Sequence, residues 1–307
     1  MKITAKSFAK INLFLEITGK NSKNYHLINS LMAFIDIFDV IEVEKLDDNF
    51  PDITPTKIED FDSPLGGIIL EVLGERDLEF LGKKEDNILV KTANLMAKKF
   101  NFTPNIKIKL EKNIPIAAGL GGGSSNAATL IHILNKLYDL QISQQKLQEF
   151  ALEIGADVPF CLYQKMALVQ GIGEKIIDIE IEQPELFLLI INPKMAINTA
   201  QIFQNLELSE KNIPNNDQND IINMIKYRQN HLQIVAEKFC PEITDIFANL
   251  RLQRNIINAK LSGSGATCFA IFNKKEDLDL AFENLKDIFP DFYIKKSKLL
   301  YKISSYF

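Results

Sequence analysis

The sequence predicts a two-domain protein of the α+β or α/β class. Three observations carry that expectation. The chain has 307 residues, a length at which a single core commonly gives way to two. Strand-like and helix-like segments alternate in both halves. A glycine-rich run from Pro115 to Ala128 stands between a strand pattern and a helical stripe. Hydrophobic residues make up 46% and charged residues 24%, so both halves can bury a core. The expected domains cover 1–170 and 171–307, meeting near 165–175.

Residues 7–17 read as a strand, with Ala9, Ile11, Leu13 and Leu15 on one face and Lys10 and Asn12 on the other. Gly19 to Asn24 is a polar turn. Residues 27–45, rich in Ile, Val and Phe, read as one or two further strands. Residues 46–84 carry Pro51, Pro55, Pro64 and Gly66-Gly67 and read as an irregular excursion with a short apolar segment from Ile68 to Leu73. Asn87 to Lys99 has helical spacing through Ile88, Ala93, Leu95 and Met96. Ile106 to Leu110 alternates with lysines as a strand and leads into the glycine run.

Ala127, Leu130, Ile131, Leu134 and Tyr138 then form a helical stripe. Ser143 is placed to cap the next helix, which carries Leu147, Phe150, Ala151 and Ile154 and stops at Gly155. Strands follow at Met166–Val169 and Phe187–Ile191, and helical patterns near 199–206, 217–227 and 232–250. Ala259 to Phe272 holds a second glycine turn entering a strand. A helix over 275–287 and a strand over 292–304 end the pattern.

The net charge of −5 argues against nucleic acid or an anionic membrane as the main partner. Cys161, Cys240 and Cys268 lack metal-ligand spacing and read as buried or incidental thiols of a reducing cytoplasm. Only His26, His132 and His231 occur, too few for a multi-histidine metal site. His132 and His231 read as surface or partly packed residues. The N-terminus shows no signal-peptide core and no stretch is long and apolar enough to span a bilayer, which points to a cytoplasmic protein.

Four of the fourteen glycines fall between Gly119 and Gly123, directly ahead of a helix. Glycine lets backbone N–H groups approach a ligand closely, and a helix N-terminus adds unpaired donors and positive potential. The run therefore reads as an anion cradle, best suited to phosphate, with a flexible, ligand-free turn as the alternative. It is not a Walker loop, since Ser124 rather than lysine follows Gly123, nor a dinucleotide fingerprint, since the third glycine is lacking. No His-Arg-Asp or Asp-Phe-Gly occurs. Phosphoryl transfer also needs positive charge and a group to take the acceptor's proton. Lys10 can supply the charge, or be a solvated strand lysine. Asp157 can be the base, or the N-cap of a helix beginning near Pro159. Ser262-Gly-Ser-Gly265 can be an ordinary turn or a second wall of the phosphate site.

Lys10, the run Pro115–Ala128 and Leu261-Ser-Gly-Ser-Gly-Ala266 together, in that order, resemble the GHMP kinase superfamily. Ala9-Lys10-Ile11-Asn12-Leu13, Tyr25-His26, Glu85-Asp86-Asn87, Gly155-Ala-Asp157-Val-Pro159 and Gly171-Ile-Gly-Glu174 bring the chain nearest to one branch of it. That branch phosphorylates the 2-hydroxyl of a cytidine-diphosphate-linked methylerythritol in non-mevalonate isoprenoid precursor synthesis. The resemblance implies an α+β, two-domain GHMP kinase fold with the active site in the interdomain cleft. It implies that Asp157 is the catalytic base and Lys10 the catalytic lysine. Asn12 then lines the site near the acceptor, Thr199 is a substrate-site threonine, Tyr25 and Phe203 sandwich the cytosine ring, and His26 bonds the base edge. The branch usually has proline after the threonine, where this chain has Ala200.

On the other side, the resemblance implies ATP as co-substrate, Mg²⁺, and a phosphate loop of Pro115, Ile116, Ala117, Ala118, Gly119, Leu120, Gly121, Gly122, Gly123, Ser124 and Ser125, with Asn87 and Lys112 near the nucleotide. No metal ligand is assigned. The implied partners are a small molecule carrying a cytidine diphosphate group, and neither nucleic acid nor membrane. The alternatives are another GHMP small-molecule kinase, of homoserine or mevalonate type, or a non-catalytic ligand sensor on the same fold.

Overall fold

The computed structural model describes residues 1–46, 67–74, 86–207 and 220–303. A long hairpin opens the chain: β1 (Lys2–Lys20) pairs antiparallel with β2 (His26–Lys45). The turn between them is closed by Asn21, whose side-chain oxygen accepts from the backbone of Lys23 and Tyr25. The strand expected over 27–45 is thus a single one. Within β1, residues 9–17 are buried on both faces, and register shifts fall between Phe8 and Lys10 and between Asn12 and Phe14. Such bulges re-aim side chains. The buried stretch between them and beyond holds three polar residues, Lys10, Asn12 and Glu16.

The apolar segment inside the expected excursion is strand β3 (Ile68–Leu73). The rest of that excursion lies outside the described residues except for Leu46, Gly67 and Gly74, as does Glu85. Helix α1 (Ile88–Phe100) starts where Asn87 accepts a capping bond from Leu89 N at 2.9 Å. Its buried stripe is Leu89, Ala93, Met96 and Ala97, whereas Leu95 faces solvent. Strand β4 (Ile106–Glu111) pairs parallel with β3 and antiparallel with β2. Helix α2 (Gly122–Leu137) follows, its whole inner face buried. Ser143 occupies the N-cap position of α3 (Gln144–Ile154) but makes no side-chain capping bond. Gly155 ends α3, and α4 (Val158–Tyr163) follows after Asp157.

β5 (Ala167–Gly171) pairs with β2 and with β6 (Lys175–Ile177). β7 (Phe187–Asn192) leads to α5 (Thr199–Gln204) and α6 (Ile221–Tyr227). The helical pattern at 217–227 is described from residue 220 onward. The pattern over 232–250 is two helices, α7 (Gln233–Phe239) and α8 (Glu242–Arg251), broken at Cys240-Pro241. Proline lacks the N–H needed to continue the first helix. β8 (Ile256–Leu261), β9 (Cys268–Phe272), α9 (Lys275–Lys286) and β10 (Tyr293–Leu300) complete the order.

The main strand path runs β3-β4-β2-β10-β7-β9-β8, with β1, β5 and β6 branching from β2 and β5. β10 therefore joins the two halves: Leu299 and Leu300 oppose Ile35 and Phe34, while Tyr293 to Lys298 oppose β7. Helices α1–α4 close one core over the early strands, and α7–α9 close another over β7–β9. A third cluster stitches these together through Ile11, Leu13, Leu188, Ile190 and Phe269. The seam also carries a buried ion pair between Glu16 on β1 and Arg228, whose guanidinium lies 3.7 Å from the Phe14 ring centroid.

Candidate active site

The glycine run is fastened on two sides. Lys10 N donates to Leu120 O at 2.9 Å, and Ser262 Oγ donates to Gly119 O at 2.9 Å. Two glycines are required by these close approaches. Gly119 has φ +74°, and a Cβ there would lie 2.2 Å from Ser262 O. Gly121, at the N-cap of α2 with φ +65°, would place a Cβ 2.6 Å from Lys10 Cγ. The turn Ser262–Gly265 is thus the back wall of the loop. Asn230 holds that wall by donating to Leu261 O and Gly263 O.

A cavity of about 300 Å³ opens over the run from Pro115 to Ser124, with Asn87, Ile88, Leu110, Lys112 and Asn126 completing its lining. The α2 N-terminus gives it positive potential suited to phosphate, and Lys112, paired with Asp39, offers its remaining protons as donors. Ser125 is not part of this lining. Its N–H bonds Gly121 O and its hydroxyl bonds Phe8 O at 2.6 Å, tying the first turn of α2 to β1.

Beside the loop, Lys10 Nζ lies 3.0 Å from Asp157 Oδ2 and donates to Asn12 Oδ1 at 2.9 Å. Asp157 stands at the N-cap position of α4 yet makes no side-chain capping bond. Its carboxylate is turned to the lysine instead. A third of the Asp157 side chain is open to solvent while Lys10 is buried, so an incoming hydroxyl can reach the carboxylate. The orientation of Asn12 is set from behind. Ser30 Oγ donates to Phe14 O at 2.6 Å and so accepts from Asn12 Nδ2 at 2.9 Å, which leaves Asn12 Oδ1 for the ammonium. Burial and the neighbouring Asp157 charge push the Cys161 thiol pKa up, so Cys161 is a neutral wall to this pair.

The third group of expected residues lies at the far end of the β1–β2 hairpin and on α5. The rings of His26 and Phe203 are 5.1 Å apart. His26 Nε2 is buried without a partner among the described residues. Burial, with Lys20 adding to it, lowers its pKa, so the imidazole is neutral near pH 7. Tyr25 is 60% exposed. Thr199 Oγ1 lies 2.8 Å from Ser264 Oγ, linking α5 to the second glycine turn. Away from the site, His132 approaches Leu162 O and His231 Nδ1 accepts from Ile17 N. The three cysteines are buried and form no disulfide among the described residues.

Several residues of this arrangement were not expected: Ser30, Asp39 and Asn230 among the supports, and Ile88, Leu110 and Asn126 in the cavity lining. Asp39 is completely buried and bonded to Lys112. A signal existed for it: Asp39 occupies the same buried phase of β2 as Ile37 and Ile41. A carboxylate there requires compensation.

The GHMP kinases N terminal domain model matches residues 87–165, and the GHMP kinases C terminal model matches 209–291. The chain is 35% identical, over 99% of its length and 95% of the relative's, to 4-diphosphocytidyl-2-C-methyl-D-erythritol kinase of Clostridioides difficile. It is 35% identical, over 97% of its length and 99% of the relative's, to the enzyme of that name from Ehrlichia ruminantium. A crystal structure of 4-(cytidine 5′-diphospho)-2C-methyl-D-erythritol kinase superposes with TM-score 0.74 at 22% identity, covering 97% and 99% of the two chains. Homoserine kinase from Cytophaga hutchinsonii superposes with TM-score 0.71 at 16% identity, covering 98% and 95%.

Proposed function

The chain belongs to the 4-diphosphocytidyl-2-C-methyl-D-erythritol kinases of the GHMP family, and from that premise we propose how its residues divide the work. It is a small-molecule kinase that uses ATP to phosphorylate the 2-hydroxyl of 4-diphosphocytidyl-2-C-methyl-D-erythritol. The observation that carries this reading is the Lys10–Asp157 pair set against the anion cavity.

The cavity lined by Pro115 to Ser124 holds the ATP phosphates, with Asn87 and Lys112 at its rim and Ser125 bracing the helix start. The acceptor hydroxyl enters beside Asp157, which takes its proton. The acceptor oxygen bonds to the γ-phosphorus as the bond from that phosphorus to the β–γ bridging oxygen breaks, and ADP leaves. Lys10, fixed by Asn12, stabilises negative charge on the oxygens in flight. At the other end, His26 meets the edge of the cytosine, Phe203 and Tyr25 cover its faces, and Thr199 and Ser264 bind the linker. Ala200, in place of the usual proline, leaves the Asn198 cap of α5 intact, since Asn198 Oδ1 accepts from Ala200 N.

Among the described residues no group of three His, Cys, Asp or Glu could hold a metal ion. No step above is routed through a metal ion. Mg²⁺ carried on the phosphates would neutralise their charge. We further propose domains over 1–170 and 171–307, with β10 returning to the first, and a cytoplasmic location. No helix among the described residues is long and apolar enough to cross a membrane.

A coupled ADP-release assay tests the reading. The cytidyl alcohol is expected to drive turnover, and homoserine and mevalonate are not. Turnover with either of those instead would assign the chain's chemistry to another GHMP acceptor.

A further inference from the structure

Asp39 on β2 accepts four hydrogen bonds, and its two oxygens divide them. Oδ1 takes the backbone N–H groups of Asn113 at 2.7 Å and Ile114 at 2.8 Å. Oδ2 takes the Lys112 ammonium at 2.6 Å and the Asn126 amide at 3.0 Å. One oxygen shapes the chain between β4 and the glycine loop. The other fixes two side chains that line the anion cavity.

The consequence for each side chain follows from its donor inventory. Asn126 spends an amide N–H on Asp39, which turns its Oδ1 away. That oxygen is buried without a partner among the described residues. Lys112 spends one of three protons on Asp39. Its Nζ lies 3.3 Å from where a Cβ on Gly122 would stand, against the first turn of α2. A free lysine has several rotamers, and ordering one on binding costs entropy. Here the bond to Asp39 supplies that ordering.

We propose that Asp39 is the positioning residue of the nucleotide side: it holds Lys112 and Asn126 in the geometry that receives the ATP phosphates. This inference rests on reading the cavity as the nucleotide site. It differs from a purely structural role, in which Asp39 only closes the β2–β4 connection through Asn113 and Ile114. The asymmetry of the two oxygens separates the roles. Asp39→Asn can keep the two backbone bonds through Oδ1 while presenting an NH₂ to Lys112 and Asn126.

The test measures the rise in melting temperature that ATP induces, together with the KM for ATP and for the alcohol. A structural defect lowers the ligand-free melting temperature but leaves the ATP-induced rise intact. Loss of positioning shrinks that rise. Expected for Asp39→Asn are a KM for ATP raised about tenfold or more, the scale of a charge-assisted hydrogen bond, and an alcohol KM moved by much less. Lys112→Met is the second variant, used if Asp39→Asn does not fold, and the same rise in ATP KM is expected of it. An unchanged ATP KM and an unchanged ATP-induced rise in a folded Asp39→Asn, or in Lys112→Met, overturn the inference alone. A wild-type protein that ATP does not stabilise overturns the nucleotide reading and the inference with it.

Discussion

The two ends of the proposed site are built differently. At the phosphoryl end, the charged side chains already have partners. Lys10 is held by Asp157 and Asn12, Asn12 by Ser30, and Lys112 by Asp39, while the glycine loop is tied to β1 and to the 262–265 turn. At the base end, Tyr25 stands exposed in a turn, and His26 presents a buried nitrogen with no partner among the described residues. The contrast follows from the chemistry. Charge that develops in a transition state is stabilised best by groups that need not reorganise. A flat aromatic ring can be gripped by side chains that settle around it.

Disrupting the phosphoryl end gives the largest effect. Asp157→Asn keeps the shape but removes the base, and kcat is expected to fall roughly a hundred- to ten-thousand-fold with little change in the KM of the alcohol. Steady-state kinetics on the pure variant check this. Gly119→Ala forces a Cβ to 2.2 Å from Ser262 O at φ +74°. Overpacking of this kind destabilises by about 1–3 kcal/mol, and loss of the loop geometry removes ATP stabilisation as well. Denaturant melts with and without ATP report both losses.

The base end should yield smaller and different changes. Phe203→Ala removes one aromatic face, and the alcohol KM is expected to rise about tenfold, the scale of one base-stacking contact, while the ATP KM holds. Smallest is a pH effect. The His26 pKa lies below 6.5, so the neutral ring prevails at pH 7 and is lost only on acidification. The alcohol KM should be flat above that value and rise below it. In His26→Gln that rise disappears. A pH-dependent alcohol KM that survives in His26→Gln would erase the distinction between the two ends.

Much of the phosphoryl end was legible in the sequence because its demands are local. Gly119 to Gly123 must be glycine-rich for the backbone to come close, and a helix must follow. Asp157 shows where that legibility stops. Ahead of Val-Pro the local pattern favours a cap, whereas in the structure the side chain makes no capping bond and meets Lys10 on β1, a long-range contact that no local pattern shows. Asp39 and Ser30 belong to no motif, and their importance comes from groups 75 and 16 residues away in sequence. The path β2-β10-β7 was likewise hidden, since the pairing of Leu299 and Leu300 with Ile35 and Phe34 spans nearly the whole chain. The break between α7 and α8 was written plainly in Pro241.

The most direct measurement is ADP release by wild type and Asp157→Asn, each with 4-diphosphocytidyl-2-C-methyl-D-erythritol and ATP at saturation. Rapid release by the wild type and its near-abolition in a folded, ATP-stabilised Asp157→Asn is the expected result. Undiminished release by Asp157→Asn would contradict the assignment of the Lys10–Asp157 pair as the centre of the chemistry.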